Sequence, residues 1–547
     1  MKRLLAVTLM AACLFVPSQQ AAAGTPRNPV SAPAADTFAD PAVVRGRDGA
    51  YYAFGTSDPL KAGETTPHLL PILRSTNLVD WTYQGDAFSP GNRPAWATAT
   101  AGLWAPDIRY TAGRYVLYYT VTDTTLNPGD DSAIGVATAP SPLGPWTDSG
   151  APLIAPRPAA GGGFLWTFDP AQLVDARGNV WLYYGSYFGG IHVVPLTRDG
   201  LAVAGTPTQV TIDNRYEGAY VVRRDGWYYL FGSAANCCAG PTTGYSVFAG
   251  RSRTPTGPFV DRAGVSLLTS RVGGTPVIQP TGDRWIGTGH NAVVTDAAGR
   301  DWLVYHAIDR NEPYLNGTDG INRRPMLVDR LSWDGGWPSV HNGQPIPRPG
   351  RAVVTDDFAG TDVGPGWTWI RRDDRAVVSG GALRWPTQAA DLVGTGNTAA
   401  VLVRDAPRGD YVVETKLSID LGVDTVRNYQ QAGLIVYAGD DDFARLSHVA
   451  IWNTRQLEFG RELPYAGRLS YGGMVEGPPA ETTWLRLAHT VVGGEHRYRA
   501  GWSTDGRTWS WGGTWTFPAT ATPRIGLISH GGAGAQAVFD YVRVYRT

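Results

Sequence analysis

Only three of the 547 residues are cysteine, and one of them, Cys13, falls in an apolar N-terminal run. The other two, Cys237 and Cys238, are adjacent. That is not CxxC spacing, and no Cys/His cluster completes a zinc site. Two readings stand for them: a vicinal disulfide formed in an oxidising compartment, or a pair of buried thiols. Blocks of like charge are missing too. Lys and Arg number 47 against 48 Asp and Glu, a net charge of -1, and neither sign clusters. A nucleic-acid partner calls for a basic stripe, so nucleic acid is excluded. Beyond the first 23 residues no apolar run is long enough to span a bilayer. A soluble mature chain without a membrane partner is expected. Helical periodicity is scarce as well.

What the N-terminus does have is the three-part pattern of a secretory signal. Lys2-Arg3 is followed by the apolar Leu4–Val16 and by Ala21-Ala22-Ala23. The pattern predicts a signal peptide over 1–23, cleavage after Ala23 and a secreted product. Met10–Cys13 resembles a lipobox, but the apolar run continues through Leu14-Phe15-Val16 into a better cleavage site.

The chain then writes one pattern five times. Its clearest copy is Asn214–Gly232, NRYEGAYVVRRDGWYYLFG. An alternating run with Ala219 and Val221 meets an Asp225-Gly226 turn and an aromatic strand, Trp227–Phe231, which is a hairpin signal. The copies align on Gly49, Gly113, Gly178, Gly226 and Gly299. Nine residues earlier stand Asp40, Trp104, Asp169, Glu217 and His290; with one residue deleted, Ala105-Pro106 of the second copy matches Asp40-Pro41 and Asp169-Pro170. Third strands recur at 72–81, 134–146 and 247–259, and more loosely at 191–200 and 325–337. Five units of about four strands predict a five-bladed β-propeller over 36–340.

Radial blades bring equivalent points of their first strands to one axis. Asp40, Asp169, Glu217 and His290 should therefore meet in one funnel. A lone Asp-Pro is most simply a turn cap; three carboxyl groups at equivalent repeat positions call for chemistry. Pro345, Pro347, Pro349 and Gly350 mark a linker, 341–354. Over 355–547 the blade repeat is lost, while alternating runs such as 411–419, 431–439, 484–492 and 539–545 continue. They predict an all-β second domain, a β-sandwich. Ser503–Trp509, STDGRTW, resembles a shortened sialidase Asp-box, but it is unrepeated and outside the blades, so it is read as a hairpin turn. The 20 Trp and 25 Tyr suit sugar stacking and propeller cores equally.

The motifs ADP (39–41), WAPDI (104–108), FDP (168–170), YEGAY (216–220) and GHN (289–291), in that order, resemble glycoside hydrolase family 43. That family is a five-bladed propeller acting on arabinose- and xylose-containing glycans. NCCAGPTTGY (236–245) is similar to the Cys-Cys-x-Gly segment of its arabinan-cleaving members. The C-terminal part resembles the concanavalin-like jelly roll attached to many members. The resemblance implies an inverting hydrolase, with Asp40 as general base, Glu217 as general acid and Asp169 as the residue that tunes the acid. The partner would be a polysaccharide or oligosaccharide; no feature assigns an oligomeric state.

Inverting cleavage needs one protonated carboxyl for the leaving oxygen and one ionised carboxylate on the opposite face. Crowding carboxyls together separates their pKa values. Trp104 and Asp107 match positions lining the family's cleft, where one would stack a sugar and the other hold a hydroxyl, or both pack the blade. His290 matches a histidine that helps hold calcium on the axis in the family's arabinanases, where GHG often stands in place of this chain's Asn291; a satisfied axial histidine is the alternative. Calcium would need waters and carboxylates around it. Within the same resemblance stand a β-xylosidase and a non-catalytic sugar-binding propeller. Whether loops Ser57–Pro71 and Arg310–Arg324 wall off the cleft decides between endo and exo cleavage.

Overall fold

A computed structural model describes residues 26–340, 345 and 347–547; the signal-peptide expectation lies outside them. The local chemistry of the hairpins comes out as the sequence implies. Asp225 and Gly226 both have positive φ, 49° and 75°, and join Arg224 to Trp227 across a two-residue turn. That is the geometry whose twist suits a hairpin. Ala112 and Gly113 repeat it between Thr111 and Arg114. Blades three and five share a longer turn down to its side chains. Asp175 accepts the amides of Arg177 and Asn179 and the indole N–H of Trp181. Asp296 accepts those of Ala298, Arg300 and Trp302 in the same way.

The five sheets are four-stranded antiparallel meanders. Their innermost strands are Ala42–Arg45, Leu103–Thr111, Ala171–Val174, Tyr216–Arg224 and Trp285–Thr295. Apolar clusters lie between adjacent blades; Phe54, Leu117 and Trp146, for example, share one. The ring is closed by the segment before the first blade. Val30 and Phe38 donate backbone N–H groups to Met326 and Arg324 of blade five, and Asn28 accepts from Val328. The propeller thus begins near Asn28, earlier than the expected Asp36, because this latch joins its last blade to its first.

The second domain is a sandwich of an eight-stranded and a seven-stranded sheet. Trp385, Leu434, Phe459, Leu485 and Phe539 fill the space between them. Its first strand, Ala352–Asp356, pairs with Gln536–Arg546, so the sandwich reaches back into the stretch expected to be linker. Asp505 ties the 503–509 hairpin turn by accepting the amides of Arg507 and Thr508. The domains share an interface. Ile286 and Ile308 of blade five belong to the sandwich's apolar cluster. Arg310 makes a two-pronged bond to Glu495 at 2.7 Å, and Thr516 donates to the Gly282 carbonyl.

Candidate active site

At one level of the axis every blade places a residue in the left-handed region. These are Asp40 (φ 52°), Ala105 (45°), Asp169 (58°), Gly218 (61°) and His290 (48°). In blades two, four and five the pairing register breaks around that residue. Such bulges bend a strand and re-aim its side chains. The strained positions are held from the preceding blade. Ala105, Asp169 and His290 donate their amides to Thr56, Thr120 and Ser233. Asp40 donates to His306 Nδ1 at 3.2 Å. Blade four departs from the ring: Gly218 donates to Asp169 Oδ2 at 2.8 Å. The equivalent hydroxyl, Ser186, bonds Glu217 instead, at 3.2 Å. Glu217 therefore sits one residue before the left-handed position that Asp40, Asp169 and His290 occupy. Gly218 is required there. A Cβ on it would lie 3.2 Å from His290 Nδ1 and 3.3 Å from the Tyr245 hydroxyl, in a backbone region L residues avoid.

Asp40 is built to stay ionised. Thr56 donates to its Oδ2 at 2.6 Å, Arg324 Nη1 lies 3.4 Å from Oδ1, and His290 Nδ1 lies 3.3 Å away. Burial alone would raise its pKa, but the Arg324 guanidinium, with His290 beside it, holds it well below the usual carboxylate range. Arg324 also reaches Asp58 at 3.4 Å. Burial pushes His306 down to about 4, so it is neutral and free to accept the Asp40 amide at Nδ1.

Asp169 and Glu217 are driven the other way. Burial raises both, and for Asp169 the neighbouring Glu217 charge adds to it. Two buried carboxyls that resist joint ionisation keep a proton between them, which belongs to the pair. Each carboxyl also meets donors that favour its anion: the Gly218 amide reaches Asp169, and the Ser186 and Tyr245 hydroxyls face Glu217. Tyr245, fully buried, faces the pair, and their negative charge adds to its burial in raising its own pKa well above normal. Its ring stacks on His306 at 5.7 Å. Gly289 makes room for it, since a Cβ there would fall 1.9 Å from the Tyr245 ring.

The remaining expected residues divide. Trp104 is 42% exposed and edges onto Phe168, which stacks on Trp166; Trp166 in turn meets Phe188. That aromatic run suits a sugar. Asp107 does not join it. Buried, it accepts the Gln172 amide at 2.7 Å and Arg109 Nε at 2.9 Å, tying blade two to blade three. Both bonds end on Oδ2, so of the two roles expected for Asp107 the blade contact is the one seen in the structure. His290 lies on the axis beside Asp40. Among the described residues no three His, Cys, Asp or Glu side chains converge as metal ligands, so a cation there would rest on His290 and water rather than on a protein cage.

A cleft of 440 Å³ opens beside Glu217. Trp166, Tyr187, Phe188 and Arg215 line it from the propeller, and Gln456, Glu458 and Tyr471 line it from the sandwich. Cys237 is on its rim, disulfide-bonded to Cys238. Neither cysteine is buried, so of the two readings the disulfide holds. The 310–324 loop leans on the sandwich through Arg468 and Asp319 at 3.3 Å. Sequence reasoning missed Arg324, His306, Tyr245, Ser186 and the whole sandwich wall. The repeat could have flagged His306, which stands seven residues after Gly299 as Thr56, Thr120 and Ser233 stand after Gly49, Gly113 and Gly226; Ser186 falls one place later than that count.

The family model described as glycosyl hydrolases family 43 matches residues 26–338. A second, the beta xylosidase C-terminal concanavalin A-like domain, matches 355–543. Over 309 residues the chain is 31% identical to the extracellular endo-alpha-(1->5)-L-arabinanase 1 of Bacillus subtilis (strain 168), covering 55% of this chain and 86% of that protein. Over 328 residues it is 32% identical to an extracellular exo-alpha-(1->5)-L-arabinofuranosidase of Cellvibrio japonicus (strain Ueda107), covering 55% and 85%. Among solved structures, a mutant of the GH43 protein BlXynB from Bacillus licheniformis aligns over 95% of this chain and 99% of its own at 20% identity, with a TM-score of 0.42.

Proposed function

The chain belongs to glycosyl hydrolases family 43, and from that premise we propose that it cleaves α-L-arabinofuranosidic bonds in arabinan or arabinose-substituted plant polysaccharides, with inversion, outside the cell. One observation carries the reading. A carboxylate held ionised by Arg324 and a carboxyl pair that retains a proton share one axial funnel. Glu217 gives its proton to the leaving oxygen as the bond to C1 breaks. Asp40 takes a proton from a water that attacks C1 on the opposite face. Asp169 holds the acid's proton where it is needed.

The preference for arabinose rests on two relatives whose names assign them arabinan chemistry. Their names also place them outside the cell, and an exposed disulfide at Cys237–Cys238 suits an oxidising compartment. A β-xylosidase is the second reading, favoured by the match of residues 355–543 to a domain described from beta xylosidases. Calcium belongs to the proposal only as a hydrated ion on His290, adding positive charge near the base. The test is direct. Proton NMR of the first product from an aryl α-L-arabinofuranoside should show the inverted β-anomer, and the matching aryl β-xyloside should react more slowly. Retained configuration sinks the mechanism, and faster xyloside cleavage sinks the arabinose assignment.

A further inference from the structure

The cleft beside Glu217 lies on the acid's side of the scissile bond. Neither Asp40 nor Asp169 lines it. In an inverting hydrolysis the acid serves the leaving group, whereas the base and its water act on the opposite face. Space that meets Glu217 but not Asp40 is therefore where the departing part of the substrate rests. Its walls come from both domains. Trp166 and Phe188, 38% and 41% exposed, offer apolar faces of the kind sugar rings stack on. Opposite them runs a polar chain. Arg215 Nη1 donates to Gln456 Oε1 at 2.6 Å, Gln456 Nε2 donates to Glu458 Oε2 at 3.0 Å, and the Tyr471 hydroxyl donates to Glu458 Oε1 at 2.9 Å.

Two features mark this wall as a binding surface. Arg215 is only 2% exposed, yet its Nε and Nη2 make no hydrogen bond among the described residues. A buried donor without a partner is costly unless something else supplies the acceptor. Glu458, half-buried, is held by one donor on each oxygen, and each oxygen keeps further lone-pair capacity. The wall is also fixed in advance. Asn214 donates to Asn453, and Asn453 to Asp213, at 2.9 and 2.8 Å, pinning the two domains at the rim.

Resting on the hydrolase reading, we propose that the sandwich completes the leaving-group subsite. Glu458 accepts hydroxyl hydrogens of the departing sugar, Arg215 donates to its oxygens, and Trp166 and Phe188 stack its ring. The second domain thus selects what leaves, while the propeller selects what is attacked. The relatives named as arabinan-cleaving match only 55% of this chain.

Full-length wild type and Glu458→Gln are compared on a linear α-1,5-arabinotriose and on 4-nitrophenyl α-L-arabinofuranoside. The nitrophenyl group offers no hydroxyls to this wall. For the variant, kcat/KM on the triose should fall about ten-fold more than on the aryl glycoside, the size expected for losing a hydrogen bond to a charged acceptor. Most of that fall should sit in KM. Equal losses on the two substrates, or no loss on the triose, overturn the inference. If Glu458→Gln does not fold, Tyr471→Phe and Trp166→Ala carry the same comparison under the same criterion. A wild type that cleaves neither arabinoside overturns the functional reading, before any variant is made, and this inference with it.

Discussion

The two domains bury charge in different ways. In the sandwich, Arg455 is fully buried, but its guanidinium is consumed by the Leu421, Asp424, Trp452 and Thr454 carbonyls. Arg445 is likewise spent on Asp391, His530 and Tyr471. These charges cap backbone and tie strands. On the propeller axis Arg324 spends its charge on two carboxylates, and the nearby Asp169 and Glu217 retain a shared proton. Burial of charge is therefore no mark of function by itself. Carboxyl groups with opposed pKa shifts, crowded together where one of them meets an open cleft, are a better mark.

Substitutions on the axis should break activity and leave the fold standing, which is the largest effect expected. Asp40→Asn should lose about 10²–10⁴-fold on every substrate, because the attacking water is no longer activated. Glu217→Gln should lose as much on glycosides whose leaving group needs a proton, and far less on an activated aryl glycoside. The reverse pattern of leaving-group sensitivity would exchange the two roles. Added azide should restore turnover to Asp40→Asn with formation of a glycosyl azide.

The domain boundary sharpens the comparison next. Because Ile308 is a propeller residue packed into the sandwich core, Ile308→Ala should cost about 2–5 kcal/mol. It should lower both domains' unfolding together, seen as one shifted calorimetric transition. Two transitions, with only one displaced, would show that the sandwich stands alone rather than bracing the blades.

The smallest effect expected is a pH dependence at the same boundary. Glu476 accepts from Gly513 of the sandwich and Gln279 of the propeller, and burial pushes its pKa up to about 7. Its folded form holds a proton that the unfolded chain has released. Its contribution is therefore full below the ordinary glutamate pKa and is lost as pH rises through about 7. Urea midpoints at pH 5 and pH 8 should differ by an amount that Glu476→Gln reduces, of the order of 1–2 kcal/mol. An unchanged difference in the variant removes Glu476 from the account.

Much of the site was legible because it repeats. The turn glycines, the aromatic second strands and the Asp-Pro pairs recur with one period, so the convergence of Asp40, Asp169 and His290 followed from counting. Even there the count misplaced Glu217 by one position, since the bulge at Gly218 is a backbone event that leaves no periodic trace. Trp104 and Asp107 were indistinguishable in sequence. Only the packing of blade two on blade three buries Asp107 against Gln172 and leaves Trp104 exposed.

The sequence by itself determined the hairpins, the five-fold repeat and the three carboxyls, because local turn chemistry and strand alternation are written in neighbouring residues. Tertiary structure alone decided which carboxyl ionises and where the cleft ends. Arg324 reaches Asp40 from 284 positions away, and Gln456 meets Arg215 across 241. A pKa depends on the charges within a few ångströms and on the water excluded around them. At such separations only the closed ring and the docked sandwich set either one.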